Sequence, residues 1–402
     1  MSEPPVSSQF QDSLVANLAF WQARVQGLPE SQFAILDPET QNLFRAVEFG
    51  LELAPARDAA LQLVLHLIDY VEWRGLWRAW IPVFERARAL FSETHPLWGQ
   101  LACRLGFLYR LDGQVQAALA RHQEALRFAK AAGDTRETAL AALGLADEYY
   151  LLYQYEQAEA NAQAGIAGLL IHGETTLQVR AAYNLRGMIA HARGAYEEAA
   201  AHYKTALAAW PSENAPNKQA QILTNYANSL RELGRSAEAH TALTQAVALL
   251  EARDSRLPLV YAQLALGMVH FSQGDYPGAL TVFATIDQAF LRRFGYLQPL
   301  AHTLNNLGNA RLALKQYVTA AEYLMSAAQV WRVQEEQVQL ANTLGDLGEA
   351  CFHQGLTDQA GLHWEEALAL LAAHLVEHPE DAWARRLERG TFARRAWLLQ
   401  TR

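Results

Sequence analysis

Cysteine is nearly absent from this 402-residue chain: only Cys103 and Cys351 occur, far apart in sequence. A disulfide framework is therefore excluded as the organising device, and a reducing cytoplasm is the expected compartment. Proline is scarce, at 13 residues, which suits long helices, because each internal proline would break one. No uninterrupted apolar run reaches the ~18 residues that a membrane span needs, so none is expected. Basic charge is in deficit too. The formal net charge of −9 argues against a nucleic-acid partner, which requires a basic footprint. The stretch "MSEPPVSSQFQDSL" lacks the basic region and apolar core of a secretory signal.

What the chain does have is alanine, leucine and repetition. Hydrophobic residues make up 51%, enough to build a large core. Small residues recur at one phase: Gly106, Ala146, Gly187, Ala227, Gly267, Gly308 and Gly348, 40 or 41 apart. Twelve residues after each stands an alanine, from Ala118 to Ala360. Four further on comes a usually bulkier slot, such as Tyr203, Phe283, Leu324 and Trp364. Three later the slot is mostly small again, with Ile286 the exception. Composition alone does not place alanine at one phase seven times.

The spacing predicts helix pairs. In "LNNLGNARLALKQYVTAAEYLMSAAQV" (304–330), Leu304, Leu307, Gly308 and Arg311 fall at helical intervals, as do Ala320, Leu324 and Ala327 on a second helix. Small residues let two backbones approach, and the bulkier slot fills the space beside them. Glycine ends the first helix in most units, at 113, 194, 234, 274 and 355. The quoted unit has Lys315-Gln316 instead, so its turn is expected to close differently.

These residues resemble the tetratricopeptide repeat. "LGFLY" (105–109), "GAYEEAAAHYKTAL" (194–207) and "GDYPGALTVF" (274–283) are similar to its helix-pair core, and Trp210-Pro211 to the proline near its second-helix end. The family's usual period is 34 residues, so longer helices or linkers are expected, as in kinesin-light-chain-like and bacterial signalling arrays. The resemblance implies an all-α, right-handed superhelical solenoid of stacked antiparallel helix pairs. It divides the chain into a helical cap (1–54), a degenerate helix pair (55–98), seven repeat units (99–372) and a basic capping helix (373–402).

The ends carry their own signals. "LDPETQNLFRAVEFGLE" (36–52) resembles the segment that introduces repeat arms in bacterial STAND-class signalling ATPases, at Leu36, Glu39, Asn42, Leu43, Ala46, Phe49 and Leu51. The same residues also begin an ordinary amphipathic helix. No G-x-x-x-x-G-K-[ST] loop occurs, so ATP hydrolysis is not carried over. Trp73, Trp77 and Trp80 read as an aromatic patch or as the core of a cap. Residues 381–402 hold six arginines against Asp381 and Glu388. That run reads as a solvated cap or as a contact for an acidic partner.

Catalysis has no signature here. Neither cysteine sits in a CxxC motif. His374 and His378 have metal-capable spacing but precede Pro379 and lack a third ligand. Pairs such as Glu197-Glu198 do not face each other on a helix. No enzyme activity, cofactor or metal is expected.

Binding is expected instead on the concave face of a solenoid, lined by first helices. Intervals of 3, 4 and 3 pick out Asn184, Met188 and His191 in one unit. They pick out Thr224, Asn228 and Arg231 in the next, with Asn225 adjacent. Tyr261, Leu264, Met268 and Phe271 follow, then Asn305 and Asn309 with Asn306 beside them. The last unit offers Asn342, Gly345, Glu349 and Phe352. Amides both donate and accept, so they pair with a main chain whatever its side chains. The lysines of a carboxylate clamp for chaperone C-termini are missing. The expected function is a protein- or peptide-binding scaffold for signalling or assembly. The alternative is a ligand-sensing arm that regulates a separate STAND-type ATPase or transcription regulator.

Overall fold

Residues 7–28, 30–173, 177–208, 216–252, 255–379 and 381–400 are described by a computed structural model. Trp210, Pro211 and Arg402 lie outside the described residues, as does the side chain of Trp73. The described residues form α-helices and two 3-10 segments, Glu30–Glu39 and Ala54–Ala56, joined by turns, with no strand among them. The fold is an all-α solenoid of stacked helix pairs, in two compact units, Met1–Asn214 and Ala215–Arg402.

The first unit begins with α1 (Ser8–Val25), α2 (Thr40–Glu52), α3 (Arg57–His66), α4 (Ile68–Arg74) and α5 (Trp77–Leu90). They enclose a core of Leu18, Leu43, Leu51, Leu61, Tyr70, Trp80 and Phe84. Trp80 is buried there and Trp77 packs half-buried against it, so these two rings fill a core. Helix pairs follow: α6 (Trp98–Leu111) with α7 (Val115–Ala132), α8 (Thr135–Leu151) with α9 (Tyr155–Ile171), and α10 (Leu177–Ala192) with α11 (Tyr196–Ala208).

The second unit pairs α12 (Pro216–Glu232) with α13 (Ser236–Glu251). Next, α14 (Arg256–Ser272) meets α15 (Tyr276–Ala284) and α16 (Gln288–Arg293). Then come α17 (Leu297–Ala313), α18 (Tyr317–Val333), α19 (Gln337–His353), α20 (Thr357–Glu377) and α21 (Ala382–Gln400). The long period now has its cause. From Leu297 to His353, helices of 17 residues alternate with three-residue turns.

Packing explains the bulky slot. It lies sixteen residues after the small one and faces it directly. A methyl group on Gly308 would fall 2.6 Å from Leu324 Cγ, and Tyr203, Phe283 and Trp364 crowd Gly187, Gly267 and Gly348 in the same way. Glycine leaves room for the ring, and burying it excludes water from the helix crossing. Losing such a ring costs about 3–5 kcal/mol, far more than the cost of glycine within a helix, ~1 kcal/mol. The trade therefore favours the glycine.

The turn at Lys315 corrects the sequence expectation. Lys315 takes φ 60°, as Tyr153 takes φ 59°, in the region that glycine occupies elsewhere. Lys315 N donates to Leu312 O and Gln316 N to Arg311 O, as Gly274 and Asp275 do to Phe271 and His270. The turn thus closes in the same way without glycine, because those backbone bonds satisfy the last carbonyls of the helix. The Ile286 exception also has a structural counterpart. The second helix of that unit stops at Ala284, buried Ile286 fills the core, and Asp287 caps a new helix by accepting from Phe290 N at 2.9 Å.

In the first repeat unit the bulky slot is His122. Its side chain is buried and its Nδ1 lies 2.9 Å from Glu148 Oε2 on α8. Burial alone would keep the ring neutral, but contacts with Cys103 and Glu148 outweigh it and push the pKa up to about 10. The imidazole is held in its charged form beside Glu148, whose own pKa burial raises against the pull of His122.

Candidate functional site: the first-helix faces

The first helices form a continuous layer within the second unit. α12 touches α14, α14 touches α17, α17 touches α19, and α19 touches α21. One face of each helix packs on its own second helix through the Leu–Gly positions. The residues picked out by spacing lie beside that face, and on α17 two of them meet the neighbouring first helix.

In the first unit, Asn184, Met188 and His191 lie half-buried on α10. Asn184 Nδ2 points at Met188 Sδ, 3.5 Å away. The His191 ring meets Tyr196 edge-on at 5.1 Å. Phe271 does the same with Tyr276, at 5.2 Å. Both residues therefore sit at the turn end of the face, packed on the tyrosine that opens the next helix. That tyrosine recurs at 155, 196, 276 and 317, a signal the spacing argument passed over.

On α12, Thr224 is buried and returns its hydroxyl to Ala220 O at 2.8 Å. Asn225, Asn228 and Arg231 are half-buried. Arg231 reaches Glu232 at 2.6 Å. Asn228 makes no hydrogen bond among the described residues. On α14, Leu264 is buried in the core and Met268 lies half-buried against it. Tyr261 is 43% exposed, and partial burial raises its pKa. Tyr261 and Met268 are thus the apolar part of the face that remains open.

The asparagines of α17 are partly engaged by the next helix. Asn305 Oδ1 accepts from Thr343 Oγ1 at 2.9 Å, and Asn309 Nδ2 donates to Asp346 Oδ2 at 3.0 Å. Asn309 Oδ1 is buried without a partner. Asn306 makes no hydrogen bond among the described residues. Asp346 was not foreseen from the sequence. Burial pushes its pKa up to about 6, against the pull of Asn309 and Arg394 and with help from Glu349.

At α19 the layer is covered. Arg394 of α21 meets Glu349 at 3.0 Å, and the Trp397 ring lies 5.2 Å from Phe352. A methyl group on Gly345 would come within 3.5 Å of Thr391. Arg395 pairs with Glu365. Two of the arginines expected to be available to an acidic partner are thus engaged within the chain, while Arg385, Arg386 and Arg389 remain exposed. No described helix is long and apolar enough to cross a membrane.

Comparison with known proteins agrees with the helix-pair fold. The family model described as "Tetratricopeptide repeat" matches residues 178–252 and 299–373. A curated relative, kinesin light chain-related protein 2 of Arabidopsis thaliana, is 26% identical over 70% of this chain and 48% of its own length. The chain thus spans about half of that relative. A Rap protein solved in complex with competence and sporulation factor superposes with a TM-score of 0.59 at 15% identity, covering 91% of this chain and 99% of that one. A STAND protein with a tetratricopeptide repeat sensor, from Pyrococcus horikoshii, gives 0.60 at 15% identity over 88% of this chain and 55% of its own. At such identities these structures share the fold.

Proposed function

From a chain built of tetratricopeptide repeats, we propose a non-enzymatic scaffold that holds an extended peptide segment of a partner protein along its first-helix faces. One observation carries this reading. Asn228 and Asn306 have amides without hydrogen bonds, and Asn309 has a buried oxygen without one, on the same layer as exposed Tyr261. The Asn228 and Asn306 amides are half-buried but reach solvent, so a ligand can take the place of water on them. A peptide main chain supplies both the donors and the acceptors that they require. The likeness to a Rap protein that was solved with a bound factor supports this use of the fold.

Selection from a random peptide library on the immobilised chain tests the proposal. Selected peptides are expected to bind an Asn228→Ala, Asn306→Ala double variant at least tenfold more weakly, with its melting temperature close to that of the parent. Unchanged affinity in the double variant would overturn the assignment.

A second reading has its own support. The likeness to a STAND protein with a repeat sensor, together with the 36–52 segment, favours a sensor arm for a separate ATPase or transcription regulator. A small ligand that raises the melting temperature in a nucleotide and sugar screen, while no peptide does, would favour that reading.

A further inference from the structure

Away from the first-helix layer, the second helices of the first unit bring together two carboxylates and an imidazole. Glu198 and His202 stand one turn apart on α11, and Glu159 reaches them from α9. One ligand atom from each lies within 4.8 Å of the others. We propose that Glu159, Glu198 and His202 form a binding site for a divalent transition metal of the zinc class.

Three features of the cluster fit an ion. First, His202 Nε2 is buried and has no hydrogen-bond partner. Burial and the charge of Arg186 lower the pKa of this ring, outweighing Glu159 and Glu198. An imidazole nitrogen without a protein partner, beside two carboxylates, is the kind of donor a zinc-class ion takes. Second, Glu198 Oε1 lies 3.6 Å from that nitrogen. A tetrahedral site with bonds of about 2.1 Å separates its ligand atoms by about 3.4 Å. The pair is thus close to coordinating distance, and only Glu159 has further to travel.

Third, Glu159 is oriented from behind. Its Oε1 accepts from Arg186 Nε and from Gln163 Nε2, both at 2.8 Å. Its Oε2 takes no hydrogen bond among the described residues, which leaves one oxygen for a metal. Outer partners of this kind fix the direction of a ligating carboxylate. Arg186 sets the alternative: its guanidinium already neutralises part of the cluster, at 2.5 Å from Glu159. Glu198 is 53% exposed, so the ion has an entry path and water can complete its coordination. A bound ion would tie α9 to α11 across the neighbouring pair, independently of any peptide on the first helices.

Titration of the full chain with zinc alone, followed by calorimetry, tests the site. Cobalt substitution, read by visible absorption, reports the geometry. The expected result is one ion per chain with micromolar affinity and a tetrahedral cobalt spectrum. His202→Ala should weaken binding at least tenfold. Glu198→Gln, at an exposed position, should weaken it without disturbing the fold. His374→Ala should leave it unchanged. Binding should also weaken as the pH falls, because protons compete with the ion for its ligands. Absence of uptake at 100-fold excess zinc, about two logarithmic units above stoichiometric, would overturn the site in favour of the Arg186 ion pair. Equal uptake by His202→Ala and the parent would overturn it too.

Discussion

His122 and Glu148 show what one residue can change within a repeated frame. Every other bulky slot is apolar or alanine; here an imidazolium sits against two glycines, Gly106 and Gly144, and pairs with a buried carboxylate. The folded pKa, about 10, lies above the unfolded value near 6.5. The imidazole's contribution is therefore complete below about pH 6.5 and lost as pH rises towards 10, and the raised pKa of Glu148 acts in the same direction. Urea unfolding at pH 6, 8 and 9.5 should show that loss, on the order of a few kcal/mol. His122→Phe alone should destabilise, because it strands Glu148. Adding Glu148→Leu should recover most of the stability and flatten the pH dependence relative to the parent. A parent chain equally stable at pH 6 and 9.5 would count against the charged imidazole. The histidine could be placed in its slot from the sequence. Its partner could not, since the contact spans two helices at no repeating interval.

At the scale of the helix pair, the turn at Lys315 carries local strain. A side chain in the left-handed region costs more than glycine there. Lys315→Gly should raise the urea midpoint by an equivalent of ~0.5–1 kcal/mol, and Gly274→Ala should lower it by a similar amount. No change in either variant would mean that the turns do not bear this strain. The helix pairs themselves were legible because Gly308, Ala320 and Leu324 recur at fixed phase. The closure at Lys315 was not, because a backbone hydrogen-bond pattern can persist without its usual residue. Neither was the break after Ala284. Ile286 marked an anomaly, but only the structure showed that one helix stops at Ala284 and Asp287 begins another.

At the scale of the whole molecule, a net charge of −9 sits on a scaffold that draws its basic C-terminal helix back onto itself. Arg394 and Arg395 meet Glu349 and Glu365, and Trp397 meets Phe352. The last first-helix face is thereby closed, and α12, α14 and α17 carry the face that remains open. Periodicity identified this layer, because residues at intervals of 3 and 4 share one side of a helix. It did not separate the open positions from the engaged ones. Thr224 bonds its own helix, Leu264 turns into the core, and Asn309 meets Asp346. Each of those depends on neighbours that a repeat pattern does not encode. Hydrogen exchange of the full chain with and without a selected peptide tests the central claim most directly. Added protection concentrated on α12, α14 and α17 is the predicted result. Protection confined to α13, α15 and α18, with those three helices unchanged, would contradict it.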